Sequence, residues 1–323
     1  MTGVKSPLLA LPGAVPAEGA DEGVAAHYGD LFREQRNLSQ GTGFVDLSHR
    51  GVVTVTGADR LSWLHLLLTQ HVSQLEPQHA TEALVLSPNG HVEHALYLVD
   101  DGTTTWAHVE PGTQGALVAY LESMKFFYRV EVADATADYA VVHLPAGSTG
   151  SVDGAAAVRE LPYGRDLFVP RAGLEEVTAG FGPAAGVWAY EALRIEGHRP
   201  RLGFETDHRT IPHEVDWLST AVHLQKGCYR GQETVARVHN LGRPPRRLVF
   251  LHLDGTEETL PPHGTEVRLA SDPDGRSLGF VTSSARHHEL GPIALAIVKR
   301  NVPVDAVLLA GTVPGTQDVI VPQ

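Results

Sequence analysis

Residues 226–233, Lys-Gly-Cys-Tyr-Arg-Gly-Gln-Glu, hold the chain's only cysteine and the side chains best suited to covalent chemistry. A cysteine attacks as thiolate, and two features of the segment favour that form. Residues 232–238 have helical character, so Cys228 stands just before a helix N-terminus, where the peptide dipoles favour negative charge. Lys226, two residues away, adds a cation. Gly227 and Gly231 bracket Cys228-Tyr229-Arg230 and let the backbone take turns that other residues resist. The other reading is that a lone cysteine is an inert small hydrophobe. The neighbourhood of Gly, Lys, Tyr and Arg is not an apolar one, and on residue types alone both readings stand.

A second dense segment spans residues 191–214. Glu191 and Arg194 are spaced to share a helix face and pair. Gly203-Phe204-Glu205 offers a carboxylate on a glycine-softened loop. Two carboxylate oxygens accept two parallel bonds, which suits a heterocycle edge with adjacent N–H donors. The competing reading is a solvated loop with surface ion pairs of little worth. In a third segment, Asp46-Leu47-Ser48-His49-Arg50, neighbouring Ser and His say nothing about a nucleophile–base geometry, so Ser48 reads as a loop or capping residue.

The elements that must position these residues belong to a folded protein of 323 residues with 42 % hydrophobic and 20 % charged side chains, long enough for two or three packed units. One cysteine excludes an intramolecular disulfide, a Cys-only metal site and a cluster held on the chain's own cysteines. The 18 histidines are scattered without a His-Glu-x-x-His spacing, so no metal site is expected. A net charge of −13 argues against broad coating of nucleic acid. Arg243, Arg246 and Arg247 form one small basic patch or a solvated strand entrance. No stretch is long enough for a membrane span, and the first apolar run, residues 8–11, is too short for a signal-peptide core. The expected location is cytoplasmic.

Residues 1–24, rich in Ala, Gly and Pro, read as a loosely attached tail, with a short helix within residues 25–40. Gly51-Val52-Val53-Thr54-Val55-Thr56 reads as a strand, and Leu61, Leu64, Leu68 and Val72 follow at helical spacing. Residues 81–87 and 91–99 read as strands hinged on Pro88-Asn89-Gly90. Another strand, a helix around Leu117, Leu121 and Met124, and a strand at 129–132 complete an α+β layer. Residues 138–242 repeat the mixture, with a helix through Trp188, Ala192 and Ile195. After Arg243-Pro244-Pro245 come five short strands, near 247–253, 266–270, 277–283, 293–298 and 306–309, which indicate a β-barrel or sandwich. The domain division is therefore 1–42 tail and lead-in, 43–137, 138–242 and 243–323.

Taken together, Lys-Gly-Cys-Tyr-x-Gly-Gln-Glu at 226–233 resembles the signature of the YgfZ-type folate-binding proteins, relatives of the glycine-cleavage T-protein (aminomethyltransferase). Companion matches stand in order over residues 43–310: Asp46-Leu47-Ser48-His49-Arg50-Gly51 with Val55-Thr56-Gly57-x-Asp59, the 191–205 segment, Thr210-Ile211-Pro212-x-Glu214, and Leu278-Gly279-Phe280-Val281-Thr282-Ser283. The resemblance implies an α+β, T-protein-like three-part fold: two mixed α/β units around a central folate cavity and a C-terminal β-barrel. It implies tetrahydrofolate, or a one-carbon derivative, as cofactor. It also implies a role in iron–sulfur cluster assembly or repair, with client enzymes or assembly proteins as partners and a possible tie to tRNA modification. Cys228 and Lys226 are the expected catalytic residues, and Glu205, Arg194, Tyr229 and Arg237 the expected cofactor-binding ones. Glu205 resembles the carboxylate that holds the pterin, while Arg194, Arg237 and Arg243 suit the anionic glutamate tail. The T-protein's Asp-Asp-Leu step is replaced here by Gly90-His91-Val92-Glu93-His94-Ala95-Leu96, with Glu93 as its partial substitute. That departure favours cluster maintenance over aminomethyl or methyl transfer, with a tRNA-associated adaptor as the third class.

Overall fold

The computed structural model describes residues 5–256 and 259–322. They fall into two compact units. Unit 1 takes its described residues from Met1–Val85 and His94–Tyr190, and unit 2 from Leu86–Glu93 and Glu191–Gln323.

Unit 1 begins with the segment expected as a loose tail. Residues 1–4 lie outside the described residues, but the chain after them is tied down, which corrects that expectation. Ser6 N–H donates to the Gly23 carbonyl at 2.8 Å, and β1 (Val15–Pro16) pairs with β2 (Ala25–His27). Leu8 is only 2 % exposed and packs with Phe44, Ala140 and Val142. His49 Nε2 meets Asp21 Oδ1 at 3.0 Å. Composition suggests a loose tail because the few apolar residues of this strap carry no periodicity, yet Leu8, Ala17 and Val24 are buried. The following helix, α1 (Leu31–Ser39), starts where Asp30 Oδ1 accepts the Arg33 N–H at 3.0 Å.

The body of unit 1 is two five-stranded sheets. In chain order its elements are β3 (Phe44–Asp46), β4 (Gly51–Thr56), α2 (Arg60–Leu67), β5 (Ala80–Leu86), β6 (Val92–Asp100), β7 (Thr104–Val109), α3 (Gln114–Ser123), β8 (Glu131–Asp134), β9 (Tyr139–Pro145), β10 (Ala157–Leu161), β11 (Gly164–Pro170), α4 (Leu174–Thr178) and β12 (Ala184–Ala185). One sheet runs β5-β6-β7-β4-β8; the other runs β10-β11-β9-β3-β12, with β12 parallel to β3. Strand alternation decides what each face meets. Val53, Val55, Ala107 and Val109 pack against α2 and α3 through Trp63, Leu64, Leu117 and Leu121. The opposite phase of the same strands carries Trp106 and His108, which lie 5.7 Å and 6.1 Å from Phe168 of β11. The two sheets thus meet face to face.

Unit 2 contains the C-terminal end of α5 (Val187–Glu196), then α6 (Trp217–Thr220), α7 (Gln232–Leu241) and six strands closed into a barrel. These are β13 (Arg246–Leu253), β14 (Glu266–Leu269), β15 (Gly279–His287), β16 (Gly291–Lys299), β17 (Leu308–Ala310) and β18 (Val313–Val319), in the order β13-β16-β15-β14-β17-β18. Five of them stand near their expected positions. The sixth, β18, closes the barrel by pairing with both β13 and β17. Its sequence, Val-Pro-Gly-Thr-Gln-Asp-Val, carries residues depleted from strands, so composition hid it. Among the described residues no helix is long and apolar enough to cross a membrane.

If the strap is part of the unit 1 core, Leu8→Ala lowers the free energy of unfolding by about 2–4 kcal/mol. Urea denaturation measures this, and a change within a few tenths of a kcal/mol would restore the loose-tail reading.

Candidate functional site

The cysteine segment is held by a close approach of two glycines. Gly231 has φ +82°, and a Cβ placed there would lie 2.6 Å from the Ser87 carbonyl oxygen and 2.9 Å from Gly90 Cα. Gly90 has φ +80°, and its Cβ would lie 2.6 Å from Thr234 Cβ. The hairpin tip Leu86–Glu93 therefore sits directly on the start of α7, with no room for side chains at the crossing. Gly227 differs, since nothing lies within 4 Å of its would-be Cβ. Of the two glycines that bracket the cysteine, only Gly231 answers to a close approach.

Around that crossing the side chains divide into buried and exposed. Cys228 is exposed, four residues before Gln232 opens α7. Arg230 Nη1 donates to Glu93 Oε2 at 3.0 Å, so the hairpin acid and the cysteine segment meet. Lys226 is buried, with Nζ 5.3 Å from the centre of the Tyr229 ring. Burial brings the Lys226 ammonium down from 10.5 to about 8. The same effect pushes the Tyr229 phenol up to about 12. Arg237, on α7, and Arg243 are exposed.

Glu205 has a different environment from the one expected. It is 1 % exposed, and its carboxylate is filled by four protein donors. Oε2 accepts from the Arg201 N–H at 2.8 Å and from Arg194 Nη1 at 3.2 Å. Oε1 accepts from Thr282 Oγ1 at 2.8 Å and Ser283 Oγ at 2.6 Å. Arg194 is equally committed, donating to Glu191 Oε2 at 3.0 Å and to Ser283 Oγ at 2.7 Å. The bidentate face that the sequence offered to a ligand is thus spent on tying α5 and the 197–205 loop to β15. The structure joins the 191–205 and 278–283 segments, but as a scaffold.

The basic patch is corrected too. Arg246 pairs with Asp207 at 2.6 Å and with Glu214 at 2.9 Å, and Arg247 is buried, donating to the Val302 carbonyl at 3.0 Å. Only Arg243 of the three remains exposed. Among the described residues no group of three or more His, Cys, Asp or Glu is arranged to hold a metal ion.

One polar cluster escaped the sequence reading. Between the sheets of unit 1, Asp166 accepts from His143 Nδ1 at 2.8 Å, His108 Nε2 at 3.2 Å and Arg159 Nη1 at 3.0 Å. Tyr97 stacks on His108 at 4.9 Å between ring centres, and Arg159 lies 5.3 Å over the Tyr97 ring. Burial holds His108 at about 4, so it is neutral near pH 7. Burial alone would raise Asp166, but hydrogen bonds from His108 and His143 bring it well below the usual carboxylate range. The available signal was strand phase: His108 alternates with Trp106, and His143 with Val141, on inward positions.

No family model matches the chain. It is 25 % identical over 304 residues to the putative transferase At1g60990, chloroplastic, of Arabidopsis thaliana, covering 82 % of this chain and 66 % of that one. It is 26 % identical over 301 residues to the iron–sulfur cluster assembly factor IBA57 homolog, mitochondrial, of Mycosarcoma maydis, covering 78 % and 73 %. It is 27 % identical over 327 residues to the aminomethyltransferase of Streptomyces coelicolor, covering 88 % and 86 %. The crystal structure of glycine cleavage system aminomethyltransferase T from Bartonella henselae superposes with a TM-score of 0.80 at 18 % identity, over 97 % of this chain and 94 % of that one. The fold is therefore the α+β T-protein fold, with mixed sheets and a C-terminal six-stranded barrel.

Gly231→Ala should cost about 1–3 kcal/mol, from positive φ and the Ser87 contact together, and should loosen the cysteine loop. Hydrogen exchange at residues 226–234 reads the loosening, and an unchanged exchange rate would sink this account. Lys226 gives a pH signature. Its folded value of about 8 lies below the ordinary 10.5, so between these values the unfolded chain holds the extra proton and stability rises with pH. The penalty is fully present below about pH 8. Lys226→Met should remove that rise in a denaturation series across the window.

Proposed function

We propose, from the premise that the chain belongs to the aminomethyltransferase-like superfamily, that it binds tetrahydrofolate and supports iron–sulfur cluster assembly or repair, with Cys228 as the working residue. The observation that carries this reading is the crossing of hairpin tip and cysteine segment. It presents an exposed thiol on a loop anchored by Gly231, beside a buried lysine and an Arg230–Glu93 ion pair. Similarity to an iron–sulfur cluster assembly factor supports the cluster role.

The residues present fit one end of folate better than the other. Arg237 and Arg243 are exposed cations that suit the anionic glutamate tail. Glu205 and Arg194 do not suit the pterin, because their polar atoms already serve one another and β15. Bound tetrahydrofolate supplies a carrier for a one-carbon unit. The chain's own contribution is to hold the Cys228 thiol in the open while Lys226 and Tyr229 pack beneath the loop. An exposed thiol suits attack on a sulfur or one-carbon species, or contact with a cluster carried by a client protein.

Transfer of a one-carbon group is the second reading, supported by similarity to an aminomethyltransferase. Glu93 is the acid available for it, but its Oε2 is engaged by Arg230 and no second acid stands beside it in the hairpin tip, which favours the maintenance role. An adaptor for tRNA is disfavoured, since Arg246 and Arg247 do not form an exposed patch. The domain division at 43–137, 138–242 and 243–323 belongs to the same proposal.

Calorimetric titration with tetrahydrofolate should give saturable binding that weakens in Arg237→Ala; no heat at high micromolar ligand would remove the folate half. Cys228→Ala, placed in a strain lacking the native protein, should fail to restore the activity of iron–sulfur enzymes. Full rescue by the alanine form would reduce Cys228 to a surface residue. Turnover of a methylene donor by wild-type protein would instead support the transferase reading.

A further inference from the structure

Unit 1 contains a cleft of about 470 Å³ that the proposed function does not use. Its walls are the strap, α1 and α4, and its floor is Phe44 of β3 with Pro183 and Ala184. Leu8 and Leu11 of the strap complete the apolar lining. The size falls in the range of small-molecule sites, roughly 300–1,000 Å³.

The polar groups of the lining are unequal in what they have left to give. Glu34 is buried and spent: Oε1 accepts the Tyr28 N–H at 2.8 Å and Oε2 the Gly186 N–H at 2.9 Å. The Thr178 hydroxyl donates to the Leu174 carbonyl at 2.8 Å. The Tyr28 hydroxyl is buried with no hydrogen-bond partner among the described residues, and Arg33 on α1 and Glu175 on α4 are exposed and in no ion pair with any described residue. One helix therefore brings an uncommitted guanidinium and another an uncommitted carboxylate to a single apolar-floored cleft. Asn37, one turn beyond Arg33, adds an amide to the guanidinium wall.

We infer that this cleft binds a zwitterionic small molecule with an apolar body, of the class of an α-amino acid with a bulky apolar side chain. Arg33 takes the carboxylate, for which a guanidinium fork is matched in shape. Glu175 takes the ammonium, and the side chain lies against Phe44, Leu8 and Leu11, where burial of apolar area supplies the driving force. A single-charge ligand leaves one wall unanswered, so the site discriminates by the two charges together.

L-Phenylalanine is the probe, titrated into the full-length protein while amide NMR signals of residues 5–44 and 174–184 are followed. Saturable shifts confined to these segments are expected at sub-millimolar to millimolar ligand. N-Acetyl-L-phenylalanine and L-phenylalaninamide, which lack one charge each, should bind about tenfold more weakly. Arg33→Gln and Glu175→Gln should each weaken L-phenylalanine by about the same factor. The inference is overturned by absence of saturable shifts up to about 10 mM. Equal binding of the three ligands overturns it too, and the ligand series needs no variant to fold. Tetrahydrofolate titration of the same sample reports separately on the proposed function.

Discussion

Unit 2 depends on a carboxylate that no longer has anything to offer. Glu205 draws in Arg194 from α5, the Arg201 amide from its own loop, and Thr282 and Ser283 from β15. A buried carboxylate with four donors is costly to disturb, since loss of a partner leaves charge without compensation. The connection fixes the barrel to the end of α5, and it fixes the course of the 197–205 loop. The exposed positions of unit 2, Cys228 and Arg237 among them, can carry polar side chains because this knot does not rely on them.

The same division of labour recurs in unit 1. Asp166 gathers two histidines and an arginine between the sheets, where an apolar core would be the ordinary filling. Polar interiors of this kind specify one arrangement of partners more narrowly than hydrophobic packing does. Trp106 and Phe168 pack beside this cluster, and the outer faces are apolar, against α2 and α3 on one sheet and the strap and α4 on the other.

Much of the fold was legible. Pro88-Asn89-Gly90 marked the hairpin, β-branched runs marked the strands, and evenly spaced short strands marked the barrel. Sequence pattern reports local periodicity, and these features are local. The strap was not legible, because Leu8 is buried by residues far along the chain. Nor was β18, whose Pro, Gly and Asp are tolerated by its place in the closed barrel. At the site, residues 226–233 stood out by type, but whether a charged residue is free or spent depends on its neighbours in space. Glu205, Arg194, Arg246 and Arg247 looked available in sequence and are committed in the fold.

The glycine crossing bears on how this protein can be inherited. Glu93 and Arg230 are 137 positions apart, and the tip that carries Glu93 belongs to a unit whose remaining residues begin at Glu191. Closing so long a loop costs roughly 4 kcal/mol of chain entropy, a cost met by assembling the rest of unit 2. A single recombination breakpoint anywhere between the two segments would separate the hairpin tip from its partner helix. The two units are therefore bound to travel together through descent, and Gly90 and Gly231 are each closed to a side chain whatever stands at the other.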